Sequence, residues 1–363
     1  MVFIQMHQTV TNHDAIGNDI EMIGRILGEN HEVYVYAENR LNKSVEYIDE
    51  DKFNEYAQDE NNVIIYHHSV FWEEGFEKVK AAKAKVVFRY HNITPEKFFE
   101  PYSNPYYLQC ANGRKQTLEF IKEKPDSYWF CDSTFNSYDL VGLPKEKISI
   151  CAPFNKLEEW GKVIPNEELL KELVEDKVRN ILFVGRVVPN KGHLMLLDIL
   201  NCYRNHYGDN IKLRIIGKFF DEIEEYNELV RNKIEEYELG DNIEFIGEVN
   251  DSTLMTYYLG SDVMLVCSEH EGFCVPVVEA QYFGLPIVAL SECAVPETIG
   301  SNQVLLSRNI YEYAAAIKVI CENADYKKYL EQAGRKNYEN RFSFEKIKGI
   351  FTSELEKMIE VKL

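Results

Sequence analysis

The chain has 363 residues, which exceeds the usual size of one hydrophobic core, so we expect two domains. Hydrophobic residues make up 45% and charged residues 28%, a globular balance that excludes a disordered chain. The formal net charge of −20 argues against nucleic acid as a partner, because nucleic-acid-binding proteins usually carry the opposite sign.

Short apolar segments alternate with amphipathic ones in the first half of the chain. The pattern predicts a strand at 2–6 and then a helix at 16–27, where Ile16, Ile20, Ile23 and Leu27 recur at helical spacing. Further strands are predicted at 33–36, 63–66, 86–90, 128–131 and 148–151. Helical segments lie between most of them, which indicates βα units on a parallel sheet.

A break at 152–178 separates this series from a second one. It contains Pro153, Gly161 and Pro165 before a charged helix, and it is predicted to connect two domains. Strands then follow at 181–184, 212–216, 243–246, 263–266, 286–290 and 304–306, and a last helix at about 344–361. The predicted fold class is α/β, with two Rossmann-like, doubly wound domains facing a central cleft. The N-terminal domain is predicted to span 1–165, joined by the C-terminal helix 345–363, and the second domain to span 166–344.

The first candidate site follows the strand at 181–184, in the sequence Phe183-Val-Gly-Arg-Val-Val-Pro-Asn-Lys-Gly192. Gly185 allows a tight turn, and a helix is predicted to begin near Gly192. Arg186 and Lys191 are then predicted at the positive end of this helix, where two cations beside free backbone N–H groups form a site for a diphosphate. The alternative is a plain strand, turn and helix with two surface cations.

The second candidate site follows the strand at 263–266, in the sequence Ser268-Glu-His-Glu-Gly-Phe-Cys-Val-Pro-Val-Val-Glu279-Ala. Glu271 is predicted in the loop and Glu279 in the helix after it. A carboxylate accepts two hydrogen bonds at once, which suits the paired hydroxyls of a ribose or a hexose. The alternative is an acidic loop and a glutamate that the helix dipole stabilises near the helix start.

Together the two stretches resemble the retaining glycosyltransferases of family 4, which have the two-domain fold called GT-B. The resemblance is carried by Phe-Val-Gly-Arg with Lys-Gly and by Glu-Gly-Phe-x-x-Pro-x-x-Glu-Ala, and it is strong over about 180–300. It implies retaining transfer of a hexose-type sugar from a UDP- or GDP-sugar to a glycan or lipid-linked acceptor, in cell-surface polysaccharide synthesis. The second domain would bind the nucleotide sugar and the first would lie on the acceptor side.

The resemblance also implies roles for individual residues. Arg186 and Lys191 would bind the donor diphosphate, Glu271 would contact the transferred sugar, and Glu279 would hold the ribose hydroxyls. Gly272 and Phe273 would offer backbone groups to the sugar or phosphate. Cys274 stands where glycine is commoner, and its Cβ would narrow the approach of the backbone to a ligand.

Two stretches of the first half fit the same family. Gly17 follows the first strand and would allow close approach of phosphate or sugar, although one glycine stands where family members often have two. His91 comes directly after the strand at 86–90 and, by the resemblance, would lie against the donor sugar. His67, His68 and Ser69 follow another strand, where contact with the acceptor and a structural role are both open.

We expect no cofactor other than the nucleotide-sugar co-substrate, and no metal. Asp49-Glu-Asp51 matches the D-x-D metal motif, but it lies in an acidic stretch predicted to be a loop. Arg186, Lys191 and helix termini can neutralise a departing diphosphate without a metal ion.

The N-terminal segment lacks the basic start and long apolar stretch of a signal peptide, and no segment reaches the apolar length of a membrane-spanning helix. We therefore expect a cytoplasmic protein. Peripheral contact with the inner face of the membrane stays open because of a basic run, for which a solvated helix face is the alternative. The run consists of Lys78, Lys80, Lys83, Lys85 and Arg89.

Two other functions fit the same sequence features. A nucleotide-sugar 2-epimerase of this fold would convert the donor without an acceptor. A non-catalytic nucleotide-sugar-binding subunit would bind the donor without turnover.

Overall fold

A computed structural model describes residues 1–12 and 14–363, which form two compact units. The first comprises Met1–Lys97, Pro105–Lys156 and Ser343–Leu363, and the second comprises Phe98–Asn104 and Leu157–Phe342. The division at 156/157 lies inside the predicted connection at 152–178 and ahead of the predicted boundary at 165. No sequence pattern indicated that residues 98–104 would group with the second unit.

The strands of the first unit form two parallel sheets. They are β1 (Val2–Met6), β2 (Thr9–Val10), β3 (Glu32–Tyr36), β4 (Asn39–Arg40), β5 (Val63–His68), β6 (Lys85–Tyr90), β7 (Tyr128–Cys131) and β8 (Ile148–Ile150). The main sheet has the order β3-β1-β5-β6-β7-β8, while β2 pairs with β4. The strand order reverses between β1 and β5, and ligands of open α/β sheets bind beyond the carboxyl ends of strands at such a reversal.

The helices of the first unit cover the main sheet and bury its apolar side chains. They are α1 (Ala15–Leu27), α2 (Glu50–Ala57), α3 (Glu73–Ala81), α4 (Asn104–Glu123), α5 (Thr134–Ser137) and α15 (Phe344–Ile359). Helix α1 begins at the N-cap Asp14 and buries Ile20, Ile23 and Leu27, as its spacing predicted. The C-terminal helix α15 belongs to the same core, where Phe351 packs against Phe130.

The second unit contains one parallel sheet of six strands. They are β9 (Arg179–Val184), β10 (Ile211–Ile216), β11 (Ile243–Gly247), β12 (Val263–Val266), β13 (Ile287–Leu290) and β14 (Val304–Leu306). Their order, β11-β10-β9-β12-β13-β14, is that of a Rossmann domain. The reversal falls between β9 and β12, the two strands that precede the candidate sites of this unit.

The helices of the second unit follow its strands. They are α6 (Leu157–Trp160), α7 (Glu167–Glu175), α8 (His193–Tyr207), α9 (Glu224–Glu236), α10 (Asp251–Gly260), α11 (Val275–Phe283), α12 (Val295–Ile299), α13 (Ile310–Glu322) and α14 (Ala324–Arg341). Single 3-10 turns lie at Glu96–Phe98, Lys145–Lys147, Pro189–Lys191 and Asp221–Ile223. The predicted fold class, with two Rossmann-like domains, is confirmed.

One local prediction is wrong. Asp49-Glu-Asp51 is not a loop, because Asp49 caps α2 by accepting a hydrogen bond from the Lys52 N–H and the next two residues form the first turn. This is the favourable place for carboxylates at a helix N-terminus.

The basic run lies where α3 leads into β6, in agreement with the alternative of a helix face, but its members have different surroundings. Lys78 pairs with Glu50 over 2.6 Å and Lys85 donates to the Ile359 carbonyl. Arg89 is fully buried and belongs to a different environment, described below.

Candidate functional site

The first loop of the second unit leaves β9 at Gly185. The Gly185 N–H donates to the Ile216 carbonyl. A Cβ on Gly217 would lie 2.0 Å from the Gly185 carbonyl oxygen, so the two backbones are in close contact. Arg186 therefore starts a loop that is fixed against β10. Its side chain is exposed over the Phe220 ring, with the guanidinium carbon 5.5 Å from the ring centroid, and it forms no ion pair with any described residue.

The same loop ends in a 3-10 turn, Pro189–Lys191, and Gly192 then begins helix α8. Gly192 has a φ of +73°, and a Cβ there would lie 2.0 Å from the Cys267 carbonyl oxygen. The position therefore requires glycine both for its left-handed backbone and for its close contact with the end of β12. Lys191 is thereby held beside the first turn of α8, as the sequence predicted.

Asn190 joins this turn to the loop that follows β12. Its carbonyl accepts from the Glu269 N–H over 2.8 Å, and its side-chain amide donates to the His270 carbonyl over 3.1 Å. Asn190 is itself buried. These bonds fix the two candidate loops to each other, and Asn190 was not singled out from the sequence.

Lys191 and Glu271 are direct partners in this arrangement. Lys191 Nζ lies 2.5 Å from Glu271 Oε1, and the Ser268 hydroxyl donates to the same oxygen over 2.7 Å. The side chains are 17% and 11% exposed, so the ion pair is partly buried but open to solvent on one side. The sequence predicted both residues for one ligand, and the structure brings them together.

The segment after Glu271 turns into helix α11 through an unusual backbone. Cys274 has a φ of +77° at the N-cap position, a conformation that glycine adopts most readily. The Phe273 carbonyl accepts from the Thr298 hydroxyl over 2.5 Å, which occupies one of its two lone pairs. Gly272 lies between Glu271 and Phe273 in the same loop.

Glu279 lies in the middle of α11, past its first turn, so the dipole of the helix start does not explain it. The Tyr258 hydroxyl donates to its Oε2 over 2.6 Å. Burial raises the pKa of Glu279 to about 7, although the side chain keeps some exposed surface. A carboxyl group with a pKa near neutrality is a common feature of binding sites.

In the first unit, Gly17 packs closely against the backbone of the loop that contains it. A Cβ on Gly17 would lie 2.0 Å from the Thr11 carbonyl oxygen, and the Gly17 N–H donates to Asp14 Oδ1 over 2.6 Å. These contacts give a structural reason for glycine here, and its contact with a donor stays a prediction. His13, in the same stretch, lies outside the described residues.

His91 lies at the carboxyl end of β6 with both ring nitrogens bonded inside the first unit. Nδ1 is 3.0 Å from Asp132 Oδ2, and Nε2 is 2.9 Å from Nδ1 of His67. Its side chain is 5% exposed. Contact of His91 with a donor sugar stays a prediction, and any such contact would involve its ring edge or a change in these hydrogen bonds.

Arg89 and Asp19 complete this buried group. Arg89 donates from Nε to Asp19 Oδ2 over 2.8 Å, and its NH2 group is 3.6 Å from Asp132 Oδ1. Asp19 also accepts from the Phe154 N–H over 2.7 Å. Arg89 was grouped with surface lysines from the sequence, but an arginine inside the apolar strand 86–90 is itself a signal of a buried acidic partner.

Asp19, His67 and His91 each place a possible metal-ligating atom within 4.8 Å of the others. Their atoms already have protein partners: Arg89 holds the Asp19 carboxylate, and the two imidazoles bond to each other. The group is therefore a hydrogen-bonded ionic network. His67 and His68 are both fully enclosed, so as they stand neither faces an acceptor.

The model of the family described as glycosyl transferases group 1 matches residues 166–337, which include every candidate residue of the second unit. Residues 166–337 of this chain are therefore similar to a group 1 glycosyl transferase domain. The Lys191–Glu271 pair and Glu279 lie within the matched residues.

Curated relatives match this chain at low sequence identity and over only part of their length. The chain is 25% identical over 249 residues to an uncharacterized 41.2 kDa protein in the cps region of Klebsiella pneumoniae. It is 22% identical over 231 residues to the capsular polysaccharide biosynthesis glycosyltransferase CapH of Staphylococcus aureus. These matches cover 65% and 63% of this chain, and 63% and 59% of the respective relatives.

Solved structures share the whole architecture. HepE from Anabaena, crystallised with UDP and glucose, superimposes with a TM-score of 0.77 over 98% of this chain and 100% of its own. The sequence identity is 14%, so the likeness establishes the GT-B fold and nothing finer. Within the described residues, every helix is too short or too polar to cross a lipid bilayer.

Proposed function

We propose that this protein transfers a hexose-type sugar from a UDP- or GDP-sugar to a hydroxyl group of a glycan or lipid-linked acceptor, in the synthesis of a surface polysaccharide. The family match supports a glycosyl transferase, and the relatives named for a cps region and for capsular polysaccharide support this setting. UDP is the first nucleotide to test, because HepE was crystallised with it.

The ion pair of Lys191 and Glu271 carries the proposal. A cation at the start of α8 suits a diphosphate, and a carboxylate 2.5 Å away suits the hydroxyls of the sugar attached to it. Donor binding would exchange this pair for two sets of ligand contacts. Arg186 is exposed and without an ionic partner among the described residues, so it would bind the diphosphate without first breaking a salt bridge.

The proposed reaction retains the configuration at the anomeric carbon. The bond between that carbon and the diphosphate oxygen breaks through an oxocarbenium-like state. The acceptor oxygen bonds to the same face of the sugar, and its proton passes to the departing diphosphate. Arg186, Lys191 and the N-terminus of α8 would stabilise the charge on the leaving group, so we propose that no metal ion is needed.

A thermal-shift panel of UDP, GDP and ADP with their common sugar conjugates tests the donor site. A ligand at about a hundred times its Kd should add roughly 2.7 kcal/mol of stability. A shift that persists in EDTA supports a site without a metal, and no shift with any nucleotide contradicts the donor site. Proton NMR of the first product then shows whether the anomeric configuration is retained.

Proton NMR of the donor, with and without acceptor, separates the two alternatives. Conversion of the donor to its 2-epimer without acceptor would favour an epimerase. Tight donor binding without turnover, tested across glycan and lipid-linked acceptors, would favour a binding subunit. Peripheral membrane contact stays a prediction, to be checked by sedimentation with anionic vesicles.

A further inference from the structure

The hydrogen bonds around His91 determine where its protons are. The chain of bonds starts at Gln5, whose side-chain amide is fixed because its Nε2 lies 2.8 Å from the Ile20 carbonyl. A carbonyl only accepts, so the amide nitrogen must face it and the amide oxygen must face the other way. That oxygen lies 3.0 Å from His67 Nε2, which must therefore carry a hydrogen and donate.

The next bond follows from the first. His67 is fully buried, and this burial holds its pKa well below the usual value, so its ring is neutral and its Nδ1 carries no hydrogen. His91 Nε2 lies 2.9 Å from that nitrogen and must donate to it. The other nitrogen of His91, Nδ1, faces the Asp132 carboxylate over 3.0 Å, and two unprotonated acceptors would repel at that distance.

One extra proton is therefore shared between His91 and Asp132. The position of Arg89 places it on the imidazole, because a guanidinium 3.6 Å from Asp132 Oδ1 stabilises the ionised carboxylate. The charges then balance within the buried group: Arg89 and His91 are cations, Asp19 and Asp132 are anions, and each is at most 5% exposed. Buried charges are tolerated only when they are paired in this way.

We infer that His91 is an imidazolium ion, held with both ring protons by Asp132 on one side and by His67 and Gln5 on the other. Gln5, His67 and Asp132 are positioning residues that fix the charge and the ring orientation of His91. With both nitrogens donating into the domain, His91 has no lone pair with which to accept a proton. It supplies a fixed positive charge at the carboxyl end of β6.

The charge of His91 restricts its role in sugar transfer, a point that rests on the proposed function. A general base in sugar transfer must accept a proton from the acceptor hydroxyl, so His91 cannot be that base as it stands. Its contribution to transfer would be electrostatic. The protonation state itself holds whatever the protein transfers.

Nitrogen NMR of the intact protein, labelled at histidine, shows at neutral pH which ring nitrogens carry a hydrogen. We expect both His91 nitrogens to have the shifts of N–H nitrogens, and His67 to have one protonated and one unprotonated nitrogen. An unprotonated nitrogen in His91 of the unmodified protein, or two protonated nitrogens in His67, would overturn the assignment. This measurement needs no variant and no substrate.

Asp132→Asn then tests the cause. The substitution removes one anion and offers an amide N–H to His91 Nδ1, so His91 should become neutral, with Nδ1 unprotonated. Asp139→Asn is the matched control, since Asp139 bonds to Tyr90 and Asn92 in the same unit and not to His91. If the His91 spectrum is unchanged in folded Asp132→Asn, Asp132 does not hold the proton.

Measurement of transfer activity is a separate test. If the protein transfers sugar, Asp132→Asn should lower kcat about tenfold or more while the Kd for the donor nucleotide stays near that of the unmodified protein. A changed spectrum with full kcat would remove the electrostatic role and leave the protonation state. No transfer by the unmodified protein, with the expected spectrum, would instead contradict the proposed function.

Discussion

The Tyr258 hydroxyl donates to Glu279 Oε2 over 2.6 Å, and burial of this carboxyl group raises its pKa to about 7. The nearby Asp251 raises the pKa further, while the tyrosine bond lowers it. Glu279 therefore changes its charge near neutral pH, in the helix that follows the Lys191–Glu271 pair. Two measurable pH effects follow from this, one on stability and one on ligand binding.

The first effect concerns the free energy of unfolding. The native pKa of about 7 exceeds the ordinary value of 4.5, so the native state holds an extra proton between these values. The stability this adds is complete below pH 4.5 and is lost as the pH rises through 7. Glu279→Gln removes the titration. Its free energy of unfolding, relative to the unmodified protein, should rise by about 2 kcal/mol between about pH 5 and about pH 8.

Urea unfolding at both pH values measures this difference. Glu228→Gln, at an exposed site on α9, is the control for what a surface carboxyl contributes. A stability difference between Glu279→Gln and the unmodified protein that does not change with pH would contradict the raised pKa.

The second effect concerns ribose binding, the role that the family resemblance implies for Glu279. Ribose hydroxyls donate more strongly to an ionised carboxylate, so affinity should increase as the pH rises through 7. Uridine is the better probe, because the terminal phosphate of UDP titrates near about pH 6. Calorimetry should show roughly tenfold tighter binding at about pH 8 than at about pH 6. Glu279→Gln should bind more weakly and lose the pH dependence, and equal affinity in both proteins would remove Glu279 from the site.

Arg186 offers a test of charge stabilisation with little risk to the fold. Its side chain is exposed over Phe220, so Arg186→Ala should leave the melting temperature nearly unchanged and lower kcat about 100-fold to 1,000-fold. Arg231→Ala is the matched control, because Arg231 lies over the neighbouring Phe219 ring at 5.2 Å. Initial rates with a donor found by thermal shift decide the outcome. Near-native kcat in Arg186→Ala would rule out the proposed role.

The Lys191–Glu271 pair should show strong energetic coupling. Either single alanine substitution leaves a partly buried charge unpaired, and we expect each to cost about 1–3 kcal/mol. The double variant should cost clearly less than the sum, with a coupling energy of about 1 kcal/mol or more. Denaturant unfolding of the four proteins measures the cycle. Additive losses would mean that the 2.5 Å contact contributes nothing to the stability of the ligand-free protein.

The positions of most strands could be predicted from local pattern. The strands predicted at 2–6, 128–131, 263–266 and 304–306 match the structure to the residue. The reason is that parallel strands buried on both faces are short, continuous apolar runs with polar boundaries. The candidate loops could be predicted for the same reason, since each comes directly after such a run.

The buried network of the first unit could not be predicted in this way. Asp19 and Arg89 are 70 residues apart, and Asp132 is on a third element, so only the tertiary fold brings them together. The φ of +77° at Cys274 could not be predicted either, because cysteine has no preference for the left-handed backbone conformation. Arg89 within an apolar strand was the one local clue, and grouping it with surface lysines obscured that clue.

Gly192 makes the contact between the two candidate loops sensitive to a single carbon atom. In Gly192→Ala the new Cβ would lie 2.0 Å from the Cys267 carbonyl oxygen, on a backbone with a φ of +73°. Relief of this clash requires the turn Pro189–Lys191 to move away from β12, which would break the Asn190 bonds and displace Lys191 from Glu271. We expect a loss of more than about 3 kcal/mol in stability, and loss of binding of any nucleotide found by thermal shift in whatever folded protein remains. Gly247→Ala separates the two causes, because Gly247 has a φ of +80° with open space around its missing Cβ, and it should cost only about 1 kcal/mol. Equal stability losses in the two variants would show that backbone strain, and not the contact with Cys267, requires glycine at 192.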